Sequence, residues 1–184
     1  MPHLPQRWGT GARGQTHGMT TRRDAGLQLA ERPMLEEWLD YHRATLLMKC
    51  DGLADDQLRQ RSVPPSSMSL LGLLRHMTDV ERHWFRTALG REEAPYRYWS
   101  DPYPDGDFDL VDDATVADDF AAFAEECAHS RALSASLDLD VLCQPRGERV
   151  VSHRWVLVHM VEEYARHNGH ADLIRECVDG VVGD

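Results

Sequence analysis

The most informative segment for the fold is residues 155–176, which have the sequence WVLVHMVEEYARHNGHADLIRE. Its apolar residues, Val156 and Met160 among them, recur at three- and four-residue steps and predict an amphipathic helix. Glu163 and His167 are four residues apart, so a helix places them on the same face as these apolar side chains. Burying an unpaired carboxylate is costly, and the sequence leaves two ways of compensating it. One is a hydrogen-bonded network with Arg or His from another helix, and the other is a divalent metal ion.

A second amphipathic helix is predicted for residues 69–89. Leu73, Met77 and Trp84 share its apolar side, with His76 at the edge of that side. Its polar residues project in the opposite direction: Arg75, Asp79, Arg82 and Arg86. If the two helices pack side by side, His76 joins the Glu and His of the first stretch. Two imidazoles and a carboxylate make the three-ligand set of catalytic zinc sites, which keep a fourth position open.

Two further long helices complete the pattern. One is predicted from about Pro33 to Gly52, and the other from a capping box at Thr115 and Asp118 to about Leu137. Residues 55–61 predict a short helical turn, and residues 139–151 an irregular or briefly extended crossover. The C-terminal helix is expected from about Ser152 to Val178. The fold class predicted from these elements is all-α, a four-helix bundle with long crossover connections.

Residues 91–113 form a long connection rich in aromatic side chains. Connections of this length are uncommon and are often functional. The segment is interpreted either as a lid or as a covered crossover, with the crossover favoured. Tyr96, Tyr98 and Trp99 are candidates for lining a substrate entrance.

Composition excludes several classes of function. The chain has 184 residues and a net charge of −11 with His neutral, which argues against nucleic-acid and anionic-membrane partners. No apolar run reaches the ~20 residues of a membrane span. Four widely separated cysteines, expected to be buried and reduced, favour a cytoplasmic protein. Residues 1–30 are predicted to be a disordered extension, and residues 31–184 a single domain.

Other polar residues receive structural interpretations. Glu81 is expected to pair with an Arg of a neighbouring helix, and His42 to be a hydrogen-bonded core residue. His83 is assigned to the surface or to a supporting position near the site. Arg154 and Arg166 are expected to be solvated, with contact to an acidic thiol as the alternative.

The stretches 70–85 and 155–176 resemble the second and fourth helices of the DinB/YfiT-like superfamily. Residues 35–53 and 99–102 are also similar to its actinobacterial branch, so the resemblance spans roughly residues 33–180. It implies a metal-binding four-helix bundle with His76, Glu163 and His167 as the ligands. His170 stands where many members carry Gln, which leaves open whether it is a fourth ligand, a supporting group or a proton acceptor.

The resemblance also implies an activity. Characterised members use a low-molecular-weight thiol, and this branch, which includes the maleylpyruvate isomerase-like proteins, implies mycothiol. The expected function is a metal-dependent S-transferase in detoxification, joining mycothiol to an electrophile. A non-catalytic, stress-linked metal-binding protein and a metal hydrolase are the alternatives. Zinc is the first choice of metal, with iron, nickel or manganese as alternatives. A homodimer is one option for the assembly.

Overall fold

The computed structural model describes residues 21–145 and 149–183. Six α-helices occur within these ranges: α1 Glu31–Cys50, α2 Asp55–Arg59, α3 Leu70–Glu81, α4 Gly106–Asp109, α5 Val116–Ser136 and α6 His153–Asp179. A π-helical segment, Arg82–Leu89, continues α3 without a break. Two short antiparallel strands, β1 Leu142–Cys143 and β2 Val151–Ser152, pair with each other. The predicted all-α class is therefore confirmed, and the predicted extended crossover contains this strand pair.

The long helices pack in pairs around one apolar core. α1 lies against α6, and α3 lies against α5 while also contacting α1 and α6. The core is built from Leu39 and Leu46 of α1, Met77 of α3, Phe123 of α5 and Met160 of α6. This arrangement puts the middle of α3 beside the middle of α6. Among the residues that the structure describes, no helix is long and apolar enough to cross a membrane.

The ends of the helices follow their sequence signals at most places. The Ser69 hydroxyl accepts from the Gly72 N–H at the start of α3, and the Ser152 hydroxyl accepts from the Trp155 N–H at the start of α6. Gly180 adopts a φ of 80° after α6, a left-handed conformation that favours glycine. The predicted capping box before α5 is wrong, because the Thr115 side chain makes no capping hydrogen bond.

The predicted N-terminal extension lies in part outside the described residues, which begin at residue 21. The described part runs beside α1, where the Gly26 N–H donates to the Glu37 carboxylate over 2.9 Å. Ala25 is buried. The division of the chain into an extension and a single domain stays a prediction.

A buried ionic cluster ties three helices together. The Arg43 guanidinium of α1 donates two hydrogen bonds of 2.7 Å to the two carboxylate oxygens of Glu81 at the end of α3. The Tyr164 hydroxyl of α6 donates to the same carboxylate over 2.8 Å. Burial alone would lower the pKa of Arg43, but the charge and hydrogen bonds of Glu81 raise it well above its ordinary value. The expected Arg partner of Glu81 is thus confirmed.

The polar side of α3 is covered, which the helical pattern alone did not predict. Arg75 and Asp79 are both buried. The Asp79 carboxylate accepts from the backbone N–H groups of residues 97, 98 and 99 at 2.7, 2.9 and 3.2 Å. The Arg75 guanidinium lies 4.3 Å from the centre of the Tyr98 ring. Residues 91–113 are therefore anchored onto α3 as a covered crossover.

Two apolar assignments need correction. The three- and four-residue steps of Leu35, Trp38, Leu39 and Leu46 predict that Trp38 faces the core, but this side chain is 43% exposed. All four cysteines are free, and Cys50, Cys127 and Cys143 are buried as expected. Cys177 is exposed instead, because it lies one turn after the exposed Leu173 on the outer side of α6.

Candidate metal centre

The structure brings the three predicted ligand residues together. His76 lies on α3, and Glu163 and His167 lie on α6. One possible ligand atom from each lies within 4.8 Å of the other two. The rings of His76 and His167 are 4.7 Å apart between their centres. Residues separated by almost ninety positions thus meet because α3 and α6 run side by side.

The three side chains lie at the edge of the core rather than inside it. His76, Glu163 and His167 keep 28%, 20% and 13% of their side-chain surface exposed. The desolvation cost of the Glu163 carboxylate is therefore smaller than for a fully buried group. Their convergence, rather than burial alone, is what distinguishes the cluster from an ordinary helix surface.

Asp107 orients His76. Its carboxylate, held by the short helix α4, lies 2.8 Å from His76 Nδ1 and is nearly buried. Its other oxygen accepts from the Phe108 N–H. A carboxylate partner keeps the proton on Nδ1 and leaves the Nε2 lone pair free to bind an ion. Sequence reasoning did not find Asp107, which was one of several Asp in the long connection.

His167 is held in its neutral form. Burial, together with the neighbouring His76 and His170, lowers its pKa to about 4. A neutral imidazole presents a lone pair, which metal binding requires. Its Nε2 lies 3.6 Å from a Glu163 oxygen, while its Nδ1 lies 3.4 Å from Nδ1 of His170. His170 therefore stands behind His167, on the side away from Glu163.

His159 flanks the cluster from the other side. Its Nε2 lies 3.6 Å from Glu163, and its Nδ1 lies 3.5 Å from Glu162. Glu162 is exposed and also pairs with Arg166. His159 and His170 thus bracket the ligand face of α6.

The donor set fits a divalent ion. Two imidazoles and a carboxylate suit zinc, and they suit iron, nickel and manganese as well. Donors that share one zinc ion at about 2.1 Å lie within roughly 4.2 Å of one another. The largest separation here is at most 4.8 Å, so small side-chain rotations bring all three within range.

A cavity of about 460 Å³ opens beside His76. Tyr96 and Trp99 line it, as expected for an entrance, together with His83 and Trp84. The Tyr96 hydroxyl and His83 Nδ1 are 2.9 Å apart, so His83 belongs to this cavity. Tyr98 does not line it.

Tyr98 and the other polar residues have structural partners. The Tyr98 hydroxyl of the crossover donates to the Asp119 carboxylate of α5 over 2.9 Å. The Asn168 amide donates to the backbone carbonyl of His42 over 3.0 Å, and Arg154 pairs with Glu31. The Asn168 amide nitrogen also lies 3.4 Å from His42 Nδ1, so this imidazole has a polar partner, but it is half-buried rather than the core residue that was predicted. Arg154 is partly exposed, in agreement with its predicted solvation.

These features define a class: an all-α protein in which two His and one Glu, a potential metal-ligand set, meet beside an aromatic-lined cavity. The Mycothiol-S-transferase family matches the chain over residues 34–180, and the chain belongs to this family. No curated protein shows a significant match to the sequence. The family covers both His-bearing helices, and the resemblance read from residues 70–85 and 155–176 is confirmed.

Proposed function

We propose that the protein is a metal-dependent S-transferase that joins mycothiol to an electrophile, with His76, Glu163 and His167 as the metal ligands. The observation that carries the proposal is the meeting of these three side chains in a chain of the Mycothiol-S-transferase family. The proposal includes zinc as the ion, a DinB-like four-helix bundle as the finer description of the fold, and a cytoplasmic role in detoxification.

Cys50 and Cys127 are poor nucleophiles, and the exposed Cys177 lies ten residues after His167 on α6, about 15 Å from it along the helix axis. Burial raises the pKa of Cys50 and of Cys127 to about 12 in each case, so both are protonated thiols near neutral pH. The attacking sulfur is therefore expected to come from a separate thiol. When bound, a divalent ion supplies the positive charge that favours the thiolate form of such a thiol.

The surrounding residues have distinct roles in this proposal. Asp107 fixes the ring of His76, and burial keeps His167 neutral, so both imidazoles offer a lone pair. Transfer breaks the S–H bond of the thiol and forms an S–C bond to the electrophile. The same carbon loses its bond to a leaving group, which departs with the bonding electrons, or loses a π bond whose electrons pass to the neighbouring atom. The thiol proton passes to a base. His159 and His170 are the imidazoles closest to the three ligands on α6, and either offers a ring nitrogen for this proton.

The experiment is conjugate formation with mycothiol and a panel of electrophiles, measured by mass spectrometry. The metal-loaded protein should form a conjugate, and chelation should abolish this activity. His76→Ala, Glu163→Ala and His167→Ala should each abolish it together with tight metal binding. His129→Ala is a matched control, because this imidazole lies on α5 and pairs with Glu92.

Two outcomes would contradict the proposal. Metal binding that depends on the three residues, without turnover of any electrophile, would indicate a non-catalytic metal-binding protein. Conjugation that survives chelation would show that the three ligands do not act through an ion.

A further inference from the structure

The cavity beside His76 has a continuous aromatic wall, formed by Trp99, Tyr96, His83 and Trp84. Neighbouring rings in this wall lie in contact distance. Their centres are 5.5 Å apart for Trp99 and Tyr96, 5.7 Å for Tyr96 and His83, and 5.1 Å for His83 and Trp84. The rings of Tyr96 and His83 are nearly parallel, at 15°. Such a surface offers flat faces at stacking distance.

The aromatic wall leads from solvent to the candidate metal centre. Trp99 and Tyr96 are 45% and 40% exposed, whereas Trp84 is 7% exposed. The inner end of the wall touches His159, whose ring centre lies 5.0 Å from that of Trp84. His76 lines the same cavity. Large exposed aromatic side chains grouped at the mouth of a cavity are typical of a binding site.

The wall carries little that would attract a negatively charged ligand. Among the residues that the structure describes, no Arg or Lys lines this cavity. Its two carboxylates already have partners: Asp79 accepts from three backbone N–H groups, and Asp107 is bonded to His76. In the metal-free protein an anionic ligand would find no Arg or Lys side chain here and would approach two carboxylates, which disfavours it electrostatically. An uncharged ligand meets neither obstacle.

We propose that the cavity binds the uncharged, planar part of the electrophile beside Trp99 and Tyr96, with its reacting atom directed towards His76. Because these two rings meet at 63°, the planar group would stack on one of them and lie edge-on to the other. This inference rests on the proposed S-transferase function and assigns its substrate class as neutral aromatic electrophiles. Mycothiol would then approach the three ligands from outside the aromatic wall.

Two matched fluorescent probes test the inference without any chemistry. N-phenyl-1-naphthylamine is uncharged, and 1-anilinonaphthalene-8-sulfonate carries the same ring system with a negative charge. The uncharged probe should bind saturably at one site, and the sulfonate about tenfold or more weakly. Trp99→Ala and Tyr96→Ala should each weaken binding of the uncharged probe about three- to tenfold.

Tyr103→Ala is the matched control. Tyr103 belongs to the same connection and is 54% exposed, but it does not line the cavity. Its removal should leave binding of the uncharged probe unchanged, and thermal melts should show that all three variants are folded. Equal binding of the two probes, no saturable binding, or an equal loss in Tyr103→Ala would overturn the inference.

The probe measurement is independent of the proposed function. It is made on the metal-free protein without thiol, so neither a metal ion nor the conjugation reaction contributes to the affinity of the probe. Probe binding without conjugate formation would contradict the proposed S-transferase function but would support the proposed binding site. Conjugate formation without probe binding would contradict the proposed binding site in the aromatic cavity. Where conjugates form, Trp99→Ala should raise KM for an aromatic electrophile and leave KM for mycothiol unchanged.

Discussion

Asp107 is the residue that sets the orientation of His76. The carboxylate lies 2.8 Å from Nδ1, and no other partner of this ring nitrogen is seen within the described residues. Removing such a partner typically lowers metal affinity 10- to 100-fold, roughly. Asp107→Ala should therefore weaken zinc binding by about this factor, measured by competition with a chromophoric chelator.

Asp109→Ala provides the control for this prediction. Asp109 lies on the same short helix but is exposed, so its removal should leave zinc affinity unchanged. If Asp107→Ala binds zinc as tightly as the unaltered protein does, His76 is oriented by something else or is not a ligand.

His167 makes the stability of the metal-free protein depend on pH. Its pKa is lowered from 6.5 to about 4, mainly by burial. Between these values the unfolded chain binds more protons than the folded one, so the free energy of unfolding falls as the pH drops. Denaturant titrations from pH 7 to pH 4 should show this loss, and His167→Gln should reduce it. An unchanged pH dependence in that variant would mean that His167 is protonated normally in the folded protein.

For single residues, the sequence predicts which face of a helix a side chain occupies but not which distant residue it contacts. The four-residue spacing of Glu163 and His167 was enough to place both on one side of a helix. Asp107 and Arg43 were not found, because their partners lie 31 and 38 positions away along the chain. Only the packing of separate elements decides which distant polar groups meet.

At the scale of elements, α3 and α4 pack closely at Gly72. A Cβ atom at this position would lie 2.7 Å from Cδ1 of the Phe108 side chain. The Phe108 ring in turn stacks on His76, with 5.5 Å between ring centres. Gly72→Ala should displace Phe108 and cost about 1–3 kcal/mol of stability, measured by chemical denaturation. A stable Gly72→Ala protein with unaltered zinc affinity would show that this contact is easily relaxed.

The buried pair between α1 and α3 makes the loss of only one of its partners costly. Arg43→Met leaves the Glu81 carboxylate buried without its cation and should destabilise the fold by about 3–5 kcal/mol in denaturant unfolding. Replacing both Arg43 and Glu81 by Met should recover much of the loss, because no charge is then left unpaired.

An exposed pair provides the comparison. Arg131 and Asp40 are 49% and 47% exposed, so Arg131→Met should change stability by less than about 1 kcal/mol. Equal effects of Arg43→Met and Arg131→Met would contradict the role assigned to the buried cluster.

The long helices were predictable because each has an apolar stripe and clear end signals. The environment of the polar side of α3 could not be predicted in this way. Arg75 and Asp79 point away from the core as predicted, yet they are buried because residues 91–113 fold back over them. A helical pattern identifies the apolar side of a helix. Whether the polar side is buried depends on the connecting segment that packs over it, and this segment has no hydrophobic periodicity from which its position could be predicted.

In the whole molecule, the packing of α3 beside α6 creates the candidate metal centre. α3 and α6 supply the three candidate ligands, and the crossover supplies Asp107 and the outer part of the aromatic wall. The family match spans both helices and the crossover. A chain of net charge −11 that gathers two His and a Glu at one point is well suited to binding a cation.

Titration of the cobalt-substituted protein with mycothiol tests this account most directly. Cobalt reports its ligands by absorption, and sulfur binding adds a thiolate-to-metal band in the near ultraviolet. The account predicts that this band appears and saturates with mycothiol, and that it is lost in His76→Ala, Glu163→Ala and His167→Ala. Cobalt binding that is unaffected by these three changes, or a bound cobalt ion whose spectrum mycothiol does not alter, would contradict it.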